Sequence, residues 1–255
     1  MKIASWNVNS LNVRLPHLKQ WLGEAKPDIV ALQETKLEDA KFPDTELAAL
    51  GYRSVFSGQK TYNGVAILSR EMPSDVLTDV PGLADPQRRI LAATIGDLRI
   101  VDLYVVNGQE VGSEKFAYKL DWLDKVTAYL AEEIQRHPNL VVLGDFNIAP
   151  ADGDVHDPEA WRDKILCSVP ERDALQRLLA LGLHDSFRHF NEEPGHYSWW
   201  DYRMAGFRRN LGLRIDLVLA SEALKPAMTG ATIDRTPRTW DRPSDHTPVL
   251  LELHS

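Results

Sequence analysis

The sequence has almost no cysteine, no long hydrophobic run and no low-complexity linker. Its one cysteine, Cys167, excludes an intrachain disulfide. No apolar stretch approaches the roughly 20 residues that a membrane-spanning helix needs, so no membrane contact is expected. No linker or repeat divides the 255 residues, which predicts one domain over 1–255 and a monomer. The N-terminus enters a strand pattern at once and leaves no room for a signal peptide, which favours a cytoplasmic protein.

An excess of positive charge is also lacking. The net charge of −8 argues against a protein that coats nucleic acid nonspecifically. It is compatible with an enzyme that binds only a few phosphates, because the local potential matters more than the total charge. Residues 197–245 form an exception, with seven Arg and one Lys against five Asp and one Glu. This mildly positive segment fits either a solvated loop face or a phosphate contact.

Strand-like and helix-like patterns alternate along the chain. Apolar residues at helical spacing predict helices near 15–22, 116–134 and 171–181. Apolar runs predict strands at 2–6, 28–33, 52–57, 64–69, 90–95, 98–105, 140–143, 213–219 and 248–253. Short turns pair many of these strands, so the expected fold is α/β with two packed mixed sheets and helices outside them. The polar stretch from Pro150 to Pro170 is predicted to be a long functional loop.

Polar side chains flank four of the predicted strands at one end. Asn7 follows the first strand and Glu34 the second; Gly144 to Asn147 follows a third, and Ser244 to His246 precedes the last. Residues 145 and 147 can point the same way because they are two apart. Taken singly, each group is also explained as a cap, a turn or a capped loop. Their joint occurrence favours a metal-assisted hydrolytic site.

The residue types at these strand ends suit a hard cation. Carboxylate and amide oxygens are the ligands that Mg²⁺ prefers, and no Cys/His cluster has the spacing of a zinc site. Glu34 is the predicted main ligand, while Asn7 and Asn147 are expected to orient the ligand, a water or a phosphate.

Proton chemistry is expected from the remaining groups. Asp145 is suited to orient or deprotonate a water, and His246 to donate to a phosphate oxygen while Asp216 holds its ring. The set predicts metal-assisted displacement at phosphorus. Among the aromatic residues, Trp200 and Tyr202 are assigned to packing and Trp199 to ligand contact.

Several motifs, in order, resemble the exonuclease III branch of the endonuclease/exonuclease/phosphatase superfamily. They are Trp-Asn-Val-Asn-Ser (6–10), Leu-Gln-Glu-Thr-Lys (32–36), Gly-Asp-Phe-Asn-Ile-Ala-Pro (144–150), Gly-Leu-Arg-Ile-Asp (212–216) and Ser-Asp-His (244–246). The resemblance covers nearly the whole chain. Ser-Asp-His and Gly-Asp-Phe-Asn indicate only the superfamily, whereas Leu-Gln-Glu-Thr-Lys and Trp-Trp-Asp-Tyr-Arg (199–203) point to the DNA-repair branch.

The resemblance implies a DNase I-like, four-layered α/β sandwich that hydrolyses DNA phosphodiesters with Mg²⁺ or Mn²⁺. The metal contacts it implies are Asn7, Glu34, Asp145, Asn147, Asp245 and His246. The catalytic residues it implies are Tyr104, Asp145, Asn147, Asp216 and His246. The DNA contacts it implies are Asn107, Trp199, Arg203 and Leu213. Among these, Asn147 and His246 would hold the phosphate, and Trp199 and Leu213 would line the pocket for an abasic sugar or a 3′ end.

The sequence departs from the family pattern at three places. Asn9 stands where some relatives carry an acid, which weakens a second metal site, and Val106 replaces a common proline beside Tyr104. The 150–170 segment is not the commonest version, and such segments help to decide between abasic incision and 3′-end trimming. The expected substrate is double-stranded DNA with abasic sites or blocked 3′ ends. A specialised 3′-phosphatase, a phosphatase acting on a small phosphoester and a non-catalytic binding module remain alternatives.

Overall fold

The computed structural model describes residues 1–254. Its α-helices are α1 (Leu11–Ala25), α2 (Asp44–Ala49), α3 (Glu114–Arg136), α4 (Pro158–Trp161), α5 (Val169–Leu179) and α6 (Ser186–Phe190). Its strands are β1 (Lys2–Asn7), β2 (Ile29–Gln33), β3 (Arg53–Ser57), β4 (Val65–Ser69), β5 (Ser74–Leu77), β6 (Ile90–Ile95), β7 (Leu98–Tyr104), β8 (Leu140–Asp145), β9 (Leu183–Asp185), β10 (Trp199–Trp200), β11 (Gly212–Leu213), β12 (Asp216–Ser221), β13 (Met228–Ile233) and β14 (Val249–Leu253). Within the described residues, no helix combines the length and the hydropathy of a membrane span.

Two six-stranded mixed sheets form the middle of the molecule. The first sheet has the order β13-β14-β1-β2-β4-β3, and the second has the order β5-β6-β7-β8-β12-β9. Successive residues of a strand face opposite sides. In β1, Ile3 therefore packs between the sheets, whereas Ala4 and Trp6 pack in the cluster that includes α1. Residues of α3 and α5 cover the outer face of the second sheet. The predicted four-layered α/β sandwich is confirmed.

The sequence failed to predict β10, which lies in a separate two-stranded sheet, and three strands at the edges of the two large sheets. β5 and β9 border the second sheet, and β13 borders the first. Edge strands are short and partly exposed, so they lack the apolar runs that mark interior strands. β5, for example, has three exposed residues and one half-buried residue.

The predicted strand 213–219 is wrong in one respect, because the chain breaks it into β11 and β12. Ser198 Oγ accepts the N–H groups of Ile215 and Asp216, both at 3.0 Å, and so replaces the ladder hydrogen bonds at that point. The interruption lets Arg214 turn its side chain into the protein, where it is 1% exposed.

The 150–170 segment was predicted to be one long loop, but it has regular structure of its own. It contains a 3₁₀ turn at Asp152–Asp154 and the helix α4. Asp154 is buried and accepts from Arg214 Nε at 2.7 Å and from Arg188 Nη2 at 2.6 Å. Arg214 also forms a two-pronged pair with Asp185, at 3.0 and 2.6 Å. Arg214 therefore holds this segment in place and adds nothing to a positive surface.

We predict that Arg214→Met lowers the free energy of unfolding by about 3 kcal/mol, because the buried Asp154 keeps only Arg188 and the half-buried Asp185 loses its two-pronged partner. Urea denaturation measures this. The matched control is Lys125→Met, which removes the exposed pair with Asp121 on α3 and should change stability little. Equal losses in the two variants would contradict the role assigned to Arg214.

Candidate active site

Strand ends from both sheets meet at one edge of the sandwich. β1 and β2 are parallel and so are β7 and β8, so each of these pairs finishes at the same edge. β14 and β12 run antiparallel to β1 and β8, and they begin where their neighbours finish. This topology collects the polar side chains at or next to these strand ends: Asn7, Glu34, Tyr104, Asp145, Asp216 and His246.

A buried trio forms the centre of this edge. His246 Nδ1 lies 2.8 Å from Asp216 Oδ2, and His246 Nε2 lies 3.6 Å from Asp145 Oδ2. The register of β8 and β12 places Asp145 directly opposite Asp216. One potential ligand atom from each of the three lies within 4.8 Å of the others. The pairing of His246 with Asp216 expected from the sequence is present.

The trio shifts the pKa values of its own members. Burial by itself lowers the pKa of His246, but the carboxylates of Asp216 and Asp145 outweigh burial and raise it to about 10. Burial raises the pKa of Asp145 to about 7, against the opposing positive charge of His246. The imidazole is therefore held as a cation at neutral pH, while Asp145 can exchange a proton there.

Asn7 makes a hydrogen bond with Asp145, a member of the trio. Its Nδ2 donates to Asp145 Oδ2 at 2.9 Å, and its Oδ1 accepts the N–H of Asn9 at 3.0 Å. Ser244 Oγ donates to the Asn7 carbonyl at 2.7 Å and accepts the N–H of His246 at 3.2 Å. Sequence reasoning missed Ser244, although it is the first residue of the Ser-Asp-His motif.

Glu34, the predicted main metal ligand, lies beside the trio rather than within it. The Tyr104 hydroxyl donates to Glu34, and Lys36 Nζ lies 3.5 Å from Glu34 Oε2. Burial, followed by the nearby charge of Glu34, raises the pKa of Tyr104 well above its usual value. The guanidinium of Arg89 lies 4.7 Å from the centre of the Tyr104 ring. Tyr104 is thus a neutral hydrogen-bond donor at this edge.

The turn after β8 has an unusual backbone. Asn147 has a φ of 49°, its N–H donates to Asp145 Oδ1 at 3.0 Å, and its Nδ2 donates to the Val105 carbonyl at 2.8 Å. Gly144 is required because a Cβ there would lie 1.8 Å from the Leu103 oxygen. Left-handed backbone at a non-glycine residue costs free energy and is frequent at functional sites. The exposed Asn107 lies next to this turn, with Nδ2 3.4 Å from Asn147 Oδ1.

A cavity of about 540 Å³ opens beside Trp199. Its lining includes His156, Trp161, Arg203 and Met204. The Trp199 ring nitrogen donates to Asp245 Oδ2 at 3.0 Å, while Asn9 Nδ2 donates to Asp245 Oδ1 at 3.1 Å. Asp245 therefore links the cavity to the strand ends and is not part of the trio.

Two sequence assignments near this cavity need correction. Leu213 is fully buried, because it pairs with Trp199 in the β10–β11 hairpin, so it offers no surface for the direct DNA contact that was predicted. Tyr202 was assigned to packing but is 50% exposed, with its hydroxyl donating to the Pro243 carbonyl at 2.8 Å. Trp200 is fully buried, as expected. Arg203 is exposed and paired with Asp201 at 2.7 Å.

The residues of the trio fit a hard divalent cation. Asp216 Oδ1 is buried and has no hydrogen-bond partner, so one carboxylate oxygen at the centre is left unsatisfied. The carboxylates of Asp145 and Asp216 lie within reach of one another, and carboxylate oxygens suit Mg²⁺ or Mn²⁺. His246, held as a cation, lies beside them without offering a ligand atom. A buried pair of like charges is also the environment that a bound cation relieves.

Comparison with protein families gives a match over residues 4–246 to the Endonuclease/Exonuclease/phosphatase family. The chain belongs to this family. Over 99% of its length it is 35% identical to the whole of exodeoxyribonuclease III from Haemophilus influenzae. These findings confirm the resemblance inferred from the sequence motifs.

Solved structures of family members share the whole fold. The Neisseria 3′ phosphatase NExo, bound to a product DNA hairpin, is 51% identical with a TM-score of 0.98. An AP endonuclease from Archaeoglobus fulgidus is 38% identical with a TM-score of 0.95. Both similarities cover all of this chain and all of the related chain. The arrangement of strand ends described above therefore belongs to a fold used by nucleases.

We predict that the metal-free protein loses stability as the pH rises, because the folded state holds an extra proton on His246 between about 6.5 and about 10. This contribution is complete below the lower value and absent above the upper one. The raised pKa of Asp145 acts in the same direction between 3.8 and about 7. Denaturation in a chelator between pH 6.5 and 10 should show the decline, and His246→Gln should reduce its slope. An identical slope in the variant would contradict the assignment.

Proposed function

We propose that this protein is a metal-dependent DNA-repair nuclease. It hydrolyses phosphodiesters of double-stranded DNA, incises at abasic sites, removes 3′-blocking groups including phosphate, and degrades duplexes from 3′ ends. The observation that carries the proposal is the buried trio of Asp145, Asp216 and His246 at the common edge of the two sheets. We further propose that residues 1–255 act as one catalytic domain, as a monomer and in the cytoplasm.

The proposed ion is Mg²⁺, with Mn²⁺ as a substitute. The residues proposed to hold or orient it are Asn7, Glu34, Asp145, Asn147, Asp245 and His246. Bound there, the ion would supply a Lewis acid for a phosphate oxygen and would offset the charge of the carboxylates. The Tyr104 hydroxyl, which donates to Glu34, and the ammonium group of Lys36, which forms an ion pair with it, keep the Glu34 carboxylate turned to this edge.

The protein's side chains transfer the proton, bind the phosphate and contact the DNA. Asp145 takes the proton of the attacking water, a role that suits a carboxyl group with a pKa of about 7. The His246 cation, held through Nδ1 by Asp216, donates through Nε2 to a phosphate oxygen. Asn147 holds the phosphate and Tyr104 donates to the phosphate or to the leaving oxygen. On the DNA side, Trp199, Arg203 and Asn107 contact the substrate.

A second candidate is a specialised 3′-phosphatase without abasic endonuclease activity. It is favoured by the 51% identity to a relative described as a 3′ phosphatase. The 150–170 segment also supports it, because the ion pairs of Asp154 fix the wall of the cavity that contains His156 and Trp161. A fixed wall limits what can enter beside Trp199.

Three labelled duplexes, tested in parallel with Mg²⁺ or EDTA, separate these candidates. One carries an internal abasic site, one carries a nick with a 3′-phosphate, and one has a plain recessed 3′ end. EDTA-sensitive incision at the abasic site is the result expected for the first candidate. Release of 3′-phosphate without that incision would establish the second. Inactivity on all three, with hydrolysis of inositol phosphates, would replace both with a small-phosphoester phosphatase.

We predict that Asp145→Asn and His246→Ala each lower the rate of 3′-phosphate release by about 10²–10⁴-fold, because each removes a group that moves a proton or stabilises charge at phosphorus. Single-turnover kinetics on the nicked duplex measures the effect. Asp121→Asn, on the exposed side of α3, should retain the full rate. Unchanged rates in the two site variants would exclude the proposed mechanism.

A further inference from the structure

One buried cation has no part in the chemistry proposed above. Lys119 on α3 is fully buried, and its Nζ lies 2.5 Å from Glu171 Oε1. The same Nζ donates to two backbone carbonyls, that of Asn147 at 2.6 Å and that of Asn107 at 3.1 Å. These three acceptors use the full donor capacity of an ammonium group.

The two carbonyls belong to turns that border the active site. Asn147 lies two residues after Asp145 in the left-handed turn that follows β8. Asn107 lies three residues after Tyr104, and its side chain approaches Asn147 Oδ1 at 3.4 Å. Lys119 therefore ties the turns after β7 and β8 to the same point on α3.

Glu171 extends this connection to the 150–170 segment. Its Oε1 also accepts the N–H of Leu166 at 2.9 Å, and its Oε2 accepts the N–H of Ser168 at 3.1 Å. The Leu166 carbonyl in turn accepts the N–H of Ala149 at 2.8 Å. A single buried pair thus connects the turn after β8 with the end of the segment that forms the cavity wall.

Stability alone does not account for this pair. A buried ion pair is often no more stabilising than hydrophobic residues of similar volume. Hydrophobic residues, however, cannot donate to the carbonyls of a turn whose backbone is left-handed. Lys119 donates to Asn147, which has the left-handed backbone and is also the residue proposed to hold the phosphate.

We infer that the Lys119–Glu171 pair is a positioning element that holds the turn from Asp145 to Asn147 in its productive conformation; this rests on the function proposed for that turn. Neither residue touches the reacting atoms. Their removal should lower kcat much more than it changes KM, because the proposed DNA contacts Trp199 and Arg203 stay in place while the catalytic groups lose their alignment.

The test compares Lys119→Met with Arg99→Met. Arg99 and Glu133 form a second buried ion pair involving α3, 3.5 Å apart and no more than 5% exposed, so its loss provides a matched control for stability. Kinetics use the duplex with a nick and a 3′-phosphate, and hydrogen–deuterium exchange follows the backbone amides of 144–150. Lys119→Met should lower kcat by up to about 10²-fold and lose exchange protection at 144–150. Arg99→Met should lower the melting temperature by a similar amount, but it should leave both kcat and the exchange protection at 144–150 unchanged.

The double variant Lys119→Met/Glu171→Gln removes the unpaired buried charge. It should regain part of the melting temperature while kcat stays low. Recovery of kcat together with stability, or equal effects of Lys119→Met and Arg99→Met, would overturn the inference. If the wild type cleaves none of the duplexes, the proposed function fails. Hydrogen–deuterium exchange then still tests whether Lys119 positions the turn. Protection lost at 144–150 only in Lys119→Met supports positioning, and unchanged protection overturns it.

Discussion

The active edge depends on one unfavourable pairing, that of Asp145 with Asp216 across the β8–β12 ladder. Like charges opposite each other in a sheet destabilise it, and burial removes the water that would screen them. The neighbouring contacts offset this cost. His246 brings a positive charge to both carboxylates, and Asn7 donates to Asp145. The carboxylates raise the pKa of His246, whereas burial raises that of Asp145.

The two sheets make such a pairing possible because the interiors of their strands are mostly apolar. The members of the trio lie at or next to strand ends, whereas Ser5, Gln33 and Asp102 form a separate buried polar cluster. The turns between are fixed by single buried side chains: Ser198 at the start of β12, Ser244 behind Asn7, and Lys119 behind Asn147. Each supplies hydrogen bonds to backbone groups that the interrupted ladders leave unpaired. We therefore propose that buried polar residues outside the reacting set keep the catalytic groups aligned.

The sequence was informative where structure follows from local pattern. Interior strands, the long helix α3 and the polar residues at strand ends all have signals within a few residues. Edge strands β5, β9 and β13 lack apolar runs, and the break at Arg214 is made by Ser198, which is distant in the chain. Burial of charged residues was equally hidden, because the partners of Arg214 and Lys119 are 29 to 60 residues away or are backbone carbonyls. The roles of Glu34, Asp145 and His246 were inferred from residue chemistry and those of the other site residues from family resemblance, and all of them are proposals.

We propose that the trio carries buried negative charge which a divalent cation relieves. Thermal unfolding in a chelator and in increasing Mg²⁺ tests this directly, without DNA. The wild type should gain melting temperature as Mg²⁺ rises, because the ion binds the folded state alone. Asp145→Asn should be more stable than the wild type in the chelator and should lose most of the response. A wild type insensitive to Mg²⁺ and to Mn²⁺, with Asp145→Asn less stable than it, would contradict the account.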